Sequence, residues 1–304
     1  MPKYLKLKIG SKRGKVPELP EVETIKREFN LTVVGKVFDR VEILDKKVIK
    51  FSRPDFNSKI KGKKVTKAQR MAKILVINTN NPNSLMIHLK MTGQLIFQSK
   101  TGQRTGGGHP DKLYYGQKLP HQYTRAILTF RDGSQLFFND LRRFGWIKII
   151  NRQKEKIREL ANLGPEPFDK NFSLFYFQNG LEKRKKSNIK ALLMDQKFIS
   201  GIGNIYANEA LFLAKINPQK KSGQLSPPEA QKLHQAIIKI LTKAVKLRGT
   251  SEDSYVDLAG RKGGYLPQAL VYGREGKKCR GCPGKVKKIK IAGRGTYFCP
   301  TCQR

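Results

Sequence analysis

Acid is scarce in this 304-residue chain: 23 Asp and Glu stand against 62 Lys and Arg, a formal net charge of +39. So few carboxylates disfavour a basic partner and favour a polyanion, because each neutralised phosphate releases condensed counterions. Long apolar runs are also missing. Apolar residues make up 38% of the chain, yet no stretch approaches the ~18 residues of a bilayer span. The basic first fifteen residues lack the apolar core and cleavage site of a secretory signal. No basic amphipathic helix stands out to bind a membrane surface. The expectation is a cytoplasmic protein with nucleic acid as partner and no membrane.

Cysteine is absent until position 279, which excludes a disulfide-stapled body. The four that follow, Cys279-x2-Cys282 and Cys299-x2-Cys302, have the spacing of a four-cysteine zinc ribbon or finger. Two disulfides are the competing reading. Four thiolates leave no open coordination position, so a zinc here would hold the fold together and would not activate water.

Leu19, Val22, Ile25 and Phe29 fall at helical spacing, with Pro20 suited to a first turn. From Val33 to Ile150 the pattern turns to strands, at 73–77, 84–89, 94–97, 125–130 and 135–138, with Asp132-Gly133 as a hairpin signal. This is a mainly antiparallel β-sandwich. Residues 99–122 read as an inserted surface loop, and Leu163-Gly164-Pro165-Glu166-Pro167 as a domain boundary. Helices are expected near 170–180, 187–194, 204–214 and 227–248. The last has Ser226 as N-cap, a stripe of Leu233, Ile237, Leu241 and Ala244, and Gly249 at its end. Residues 250–268 lack apolar periodicity and read as a mobile loop.

Three short motifs carry chemistry. Pro17-Glu18-Leu19-Pro20-Glu21 has the form of a catalytic N-terminus, although sixteen residues precede it. Gly201-Ile202-Gly203-Asn204 joins two helices by a glycine turn, whose following helix N-terminus would face a phosphate; a plain tight turn is the alternative. Asp140-Leu141-Arg142-Arg143-Phe144-Gly145-Trp146 sets paired arginines beside an aromatic at a strand end, either as a contact loop or as a surface turn over a core Phe.

With Met71-Ala72-Lys73, His88-Leu89-Lys90-Met91-Thr92-Gly93, Val271-Tyr272-Gly273-Arg274 and the cysteine quartet, these motifs resemble, in order, the bacterial formamidopyrimidine-DNA glycosylase family. The resemblance runs from Pro17 to the C-terminus, outside only residues 1–16 and the 99–122 loop. It implies an α+β multidomain fold: an N-terminal β-sandwich with a short N-terminal helix, a helix–two-turns–helix domain, and a C-terminal zinc-finger hairpin. The boundaries expected are an extension at 1–16, a catalytic domain at 17–150, a linker at 151–165, a DNA-binding domain at 166–268 with a loop near 250–264 closing over the lesion, and the finger at 269–304. The implied activity is a bifunctional glycosylase and AP lyase of base excision repair. It would remove 8-oxoguanine and formamidopyrimidines from duplex DNA, with one structural Zn2+ on Cys279, Cys282, Cys299 and Cys302, as a monomer.

An α-amine titrates at ~7.7–8.0 against ~10.4 for lysine, so a useful fraction, roughly a tenth to a sixth, is neutral at pH 7. By the resemblance, Pro17 is the nucleophile, Glu18 the proton donor and Glu21 a supporting residue. Lys73 and Arg294 would serve elimination and hold phosphate. Met91, Arg142 and Phe144 would fill the void left by the flipped base. Arg142, Lys186, Asn204 and Tyr123 would contact DNA, with His121 the alternative to Tyr123. A peptide-bound Pro17 has no free amine, and the chain would then be a non-catalytic binder of damaged DNA. Val16 is how a GUG start codon would be read within a longer frame, so the functional chain is expected to begin at Pro17. The Glu-Leu-Pro-Glu run is closer to this branch than to the sister endonuclease VIII branch, which carries Glu-Gly-Pro-Glu and takes oxidised pyrimidines.

Overall fold

A computed structural model describes residues 16–108, 118–154, 158–250 and 261–304. The extension before Val16, the centre of the 99–122 segment and most of the 250–264 loop lie outside the described residues.

Helix α1 (Leu19–Thr32) starts where Glu18 caps it and the Glu21 carboxylate takes the Glu18 N–H at 2.9 Å. Leu19, Val22, Ile25 and Phe29 are buried along one face. There follow β1 (Phe38–Ile43), α2 (Arg53–Lys59), β2 (Val65–Met71), β3 (Ile74–Thr79), β4 (Asn83–His88), β5 (Gly93–Gln98), β6 (Arg104–Gly108), β7 (Thr124–Phe130), β8 (Gln135–Asp140) and β9 (Trp146–Asn151). They form two antiparallel sheets, ordered β1-β7-β8-β5-β6 and β2-β3-β4-β9. Between them lies a core that includes Phe38, Leu75, Leu85, Leu95, Phe130 and Phe138, with Phe29 of α1 packed into it. Each such side chain contributes roughly 1.5–3 kcal/mol by leaving water. The expected β-sandwich is present, and α1 belongs to its core.

After α3 (Arg158–Ala161) come α4 (Leu174–Lys183), α5 (Ile189–Leu193), α6 (Asn204–Leu213) and α7 (Pro227–Lys246). Helix α6 is buried over most of its length and forms the axis of this second body, with α7 laid against it. Ser226 and Glu229 form a capping box at the start of α7. A hairpin of β10 (Lys287–Ile291) and β11 (Arg294–Phe298) ends the chain. The Glu209 carboxylate of α6 anchors the segment leading to it, accepting from the N–H groups of Leu270, Val271 and Tyr272 at 2.7–2.9 Å and from the Tyr265 hydroxyl at 2.9 Å.

Four expectations change. Residues 104–108 of the supposed loop form an edge strand, because they complete the five-stranded sheet against β5. The helix expected at 170–180 begins at Leu174, since Ser173 caps it by accepting from the Tyr176 N–H. Lys73 lies in the β2–β3 turn rather than in a strand, after Ala72 at φ +53°. The stretch 261–268 is not an open loop: Tyr265 is buried and held by Glu209, a long-range contact that periodicity cannot register.

Candidate active site

The glycine turn docks the start of α1. Leu19 N–H donates to the Gly201 carbonyl at 3.0 Å, and the Ile205 N–H, in the first turn of α6, donates to Glu18 Oε1 at 2.9 Å. A Cβ on Gly203 would fall 2.5 Å from that same oxygen, so only glycine leaves room for the carboxyl. The helix N-terminus expected to face phosphate is therefore occupied by a side chain of the protein itself. The amides were legible as a site for an acceptor oxygen, but that oxygen is Oε1 of Glu18.

Glu18 is 4% exposed, and its Oε2 has no hydrogen-bond partner. Burial raises its pKa, more than the Lys73 ammonium and the amides of Ile205, Gly203 and Tyr206 lower it. A carboxyl that burial makes hold its proton more tightly than usual, with one oxygen fixed and the other unengaged, is equipped to act as a proton donor. Pro17 precedes it and is buried. Glu21 lies beneath, its Oε1 accepting from the Tyr206 hydroxyl at 2.5 Å and from the Thr250 N–H at 2.7 Å. Burial and the neighbouring Glu18 carry its pKa up to about 7. Gly249, at φ +76°, makes the sharp exit from α7 that delivers Thr250 to this carboxylate.

Lysines surround the carboxyl pair. Lys73 Nζ donates to the Ile202 carbonyl at 2.7 Å, and burial lowers its pKa against the opposing pull of Glu18 and Glu21. The fully buried Lys190 donates to Asn204 Oδ1 at 2.6 Å, with its pKa lowered to about 8 by burial. Asn204 in turn donates to the Gly295 carbonyl at 3.1 Å, which ties the hairpin carrying Arg294 to the turn. Arg294 is exposed, and its charge is felt by both Lys73 and Lys190.

The turn after β8 forms a second cluster. Asp140 is fully buried and accepts from Thr92 Oγ1 and from the Gly145 N–H at 2.7 Å, locking the β4–β5 connection to it. Arg143, at φ +59°, is drawn to Asp45 at 2.7 Å, while Arg142 points outward. The Arg142 guanidinium lies 4.7 Å from the Phe144 ring centroid and 3.5 Å from Met91 Sδ. Phe144 is 50% exposed, so the turn does not merely cover a core aromatic. Met91, Arg142 and Phe144 thus meet as one projecting group. Tyr123 sits beside it, its carbonyl accepting from the Asp140 N–H at 2.9 Å and its ring facing Arg125 and His121. Lys186 is exposed in the turn between α4 and α5 and makes none of these contacts.

Several participants escaped sequence reasoning. Lys190 had a signal, a lysine within the otherwise apolar Ile189–Leu193 segment. Glu166 was read only as part of a boundary, yet it binds Arg70 at 2.6 Å and the Ala72 N–H at 2.6 Å, fixing the turn that carries Lys73. His88 accepts the Lys90 N–H on Nδ1 at 3.0 Å, and burial lowers its pKa to about 3, so it stays neutral with Nε2 as donor. Cys279, Cys282, Cys299 and Cys302 place their sulfurs within 4.8 Å of one another, a group able to hold a metal ion.

Family models match the whole architecture. The formamidopyrimidine-DNA glycosylase N-terminal domain matches residues 16–147, its H2TH domain residues 163–255, and the zinc finger found in FPG and IleRS residues 276–304. The formamidopyrimidine-DNA glycosylase of Desulforamulus reducens is 39% identical over 293 residues, covering 95% of this chain and 99% of that protein. A Lactococcus lactis FPG mutant solved with Fapy-dG containing DNA is 33% identical, with a TM-score of 0.83 and coverage of 95% of this chain and 100% of that one. The Lactococcus lactis Fpg solved with abasic-site DNA is also 33% identical, with a TM-score of 0.83 and coverage of 94% and 99%. Fold and matches together define a DNA-repair glycosylase with a zinc-finger module. The chain belongs to the formamidopyrimidine-DNA glycosylase family.

Proposed function

We propose that this enzyme is a bifunctional DNA glycosylase and AP lyase that excises oxidised purines, 8-oxoguanine and formamidopyrimidines, from duplex DNA. The observation that carries the reading is Glu18: buried, raised in pKa, fixed through one oxygen and unengaged at the other, directly after Pro17. The Pro17 nitrogen attacks the sugar C1′, the glycosidic bond breaks, and the base leaves with a proton. Glu18 protonates the ring oxygen as the sugar opens. The resulting iminium withdraws electrons, so loss of the C2′ proton expels the 3′ phosphate, and a second elimination expels the 5′ phosphate.

This chemistry needs a free nitrogen on Pro17, and the proposal includes a functional chain that starts there. The N-terminal family model takes up the chain at Val16, one residue before Pro17. Lys73 and Arg294 assist elimination and hold phosphate. Glu21 supports Glu18, and Lys186, Asn204, Arg142 and Tyr123 grip DNA. Met91, Arg142 and Phe144 fill the void left by the extruded base, which lowers the few-kcal/mol cost of extrusion. All these groups come from one chain, so a monomer suffices.

The four thiolates hold one structural Zn2+. Zinc–sulfur bonds of about 2.3 Å in a tetrahedron put sulfurs about 3.8 Å apart, and the pairs Cys279–Cys302 and Cys282–Cys299 stand at 3.8 and 3.5 Å. The ion would stiffen the hairpin that presents Arg294.

Borohydride treatment of the Pro17-terminated enzyme with 8-oxoguanine DNA should leave a covalent adduct on Pro17 by peptide mass. A chain that binds the lesion without an adduct would instead be a damage-binding protein. Glu18→Gln should slow excision by about 10²-fold or more, the usual worth of a positioned proton donor, with lesion-duplex affinity kept. Unchanged turnover would remove Glu18 from its role.

A further inference from the structure

The C-terminal end of α1 carries a cationic cluster that the active site does not use. Three turns converge there on backbone hydrogen bonds: the Gly35 N–H reaches the Val65 carbonyl, the Gly62 N–H the Phe38 carbonyl, and the Arg131 N–H the Val37 carbonyl, at 2.7–2.9 Å. They gather Lys36, Lys61, Lys63, Lys64 and Arg131, and Lys100 lies against Gly133 of the third turn. Gly62 stands at φ +74°, and a Cβ there would lie 3.5 Å from Arg131 Nη2, so the guanidinium lies across the lysine turn. Among the described residues only Lys36 of the six has a carboxylate partner, Asp132. Lys61, Lys64, Lys100 and Arg131 are exposed.

Like charges held together on rigid turns repel one another and are relieved only by an anion. Glu18 caps the far end of the 14-residue α1, which at 1.5 Å per residue puts the cluster about 21 Å from Glu18. That is more than two Debye lengths at physiological salt, so the cluster does little for the chemistry on a duplex held at Glu18. We propose that it is a second duplex-DNA contact, which binds the backbone of another DNA segment while the active site holds the first. The occupant fits the charge, being a continuous row of phosphates that several fixed cations can meet at once. Such a contact would let the enzyme pass between segments without full release. The inference takes from the proposed function only that duplex DNA occupies the active site, and not the lesion or the elimination chemistry.

The test saturates the enzyme with a short duplex bearing a tetrahydrofuran abasic analogue, then titrates a labelled undamaged duplex and follows its anisotropy over a range of salt. Wild type should bind the second duplex. Lys61→Gln/Lys64→Gln/Arg131→Gln should weaken that binding on the order of tenfold and flatten its salt slope by up to about 3, near 0.9 for each lost phosphate contact. Excision from a short lesion duplex should be unchanged in the triple variant, which also shows that it folds. The proposal is overturned if saturated wild type takes up no second duplex, if the variant binds it as tightly as wild type, or if an RNA hairpin or an anionic vesicle displaces the label better than duplex DNA. A failure of Schiff-base trapping leaves this result untouched.

Discussion

Two buried carboxyls three residues apart divide the work by environment. Glu18 has an unengaged oxygen and a neighbouring lysine, whereas Glu21 is closed in by Tyr206, Thr250 and the Glu18 N–H. Glu21 has a consequence for stability. Its pKa stands at about 7 in the fold against 4.5 unfolded, so the folded state holds its proton more tightly. Below about 4.5 both states are protonated and no penalty exists. As pH rises to about 7 the unfolded state loses the proton first, and stability falls, by up to about 3 kcal/mol. Thermal melts between pH 4.5 and 8 should show wild type losing stability with rising pH and Glu21→Gln losing less over the same window. Parallel curves would mean that Glu21 does not titrate there. The acids themselves were legible in sequence from their place behind Pro17. Their raised pKa values were not, because burial and Tyr206 come from the other body of the protein.

At the scale of elements, the informative unit is the α1 start seated on the turn before α6. Both halves were visible as motifs, a proline–acid run and a glycine pair, but nothing local said that one would plug the other. The α6 N-terminus satisfies its orphan amide with the Glu18 carboxyl oxygen, a contact between residues 187 apart in sequence. Gly203→Ala tests the seat directly, since its methyl would displace the carboxyl. Excision should fall at least tenfold in single-turnover assays while circular dichroism and undamaged-DNA binding persist. Full activity would show that Glu18 can retreat without loss. The turn after β8 was legible in the same partial way: the arginine pair was clear, but which arginine is free was decided by Asp45, which holds Arg143 and leaves Arg142 to Met91 and Phe144.

Across the whole molecule, the β-sandwich and the helical body meet through charged staples. Arg70 joins Glu23 of α1 to Glu166 beyond β9, at 3.1 and 2.6 Å, and so aligns the Lys73 turn with the carboxyl pair. Among the described residues no helix is long and apolar enough to cross a membrane. The four-cysteine hairpin reaches the site through Asn204 and Asn208, which bind Gly295 and Tyr297. Stripping the metal with a strong chelator should therefore cut lesion-duplex affinity by about tenfold or more and abolish excision. The sandwich, whose core is separate from the hairpin's, should keep its β-sheet signal. Retained tight binding after complete metal loss would detach the hairpin from DNA recognition.

The sequence alone determined what short-range rules govern. Alternation and turn residues set the strands, capping and apolar stripes the long helix, paired cysteines the metal hairpin, and the excess of lysine and arginine the polyanionic partner. The sequence's ordered motifs drew attention to Pro17 and Glu18, and the family resemblance alone singled out Lys73 and Arg294, without saying how far apart they stand. Tertiary structure alone decided that Glu18 occupies a helix N-terminus, that Lys190 is buried beside Asn204, that Glu166 steers the Lys73 turn, and that residues 104–108 close a sheet. The physical reason is the same in each case. A pKa, a buried charge and an edge-strand pairing depend on groups distant in the chain, and only packing brings those groups together.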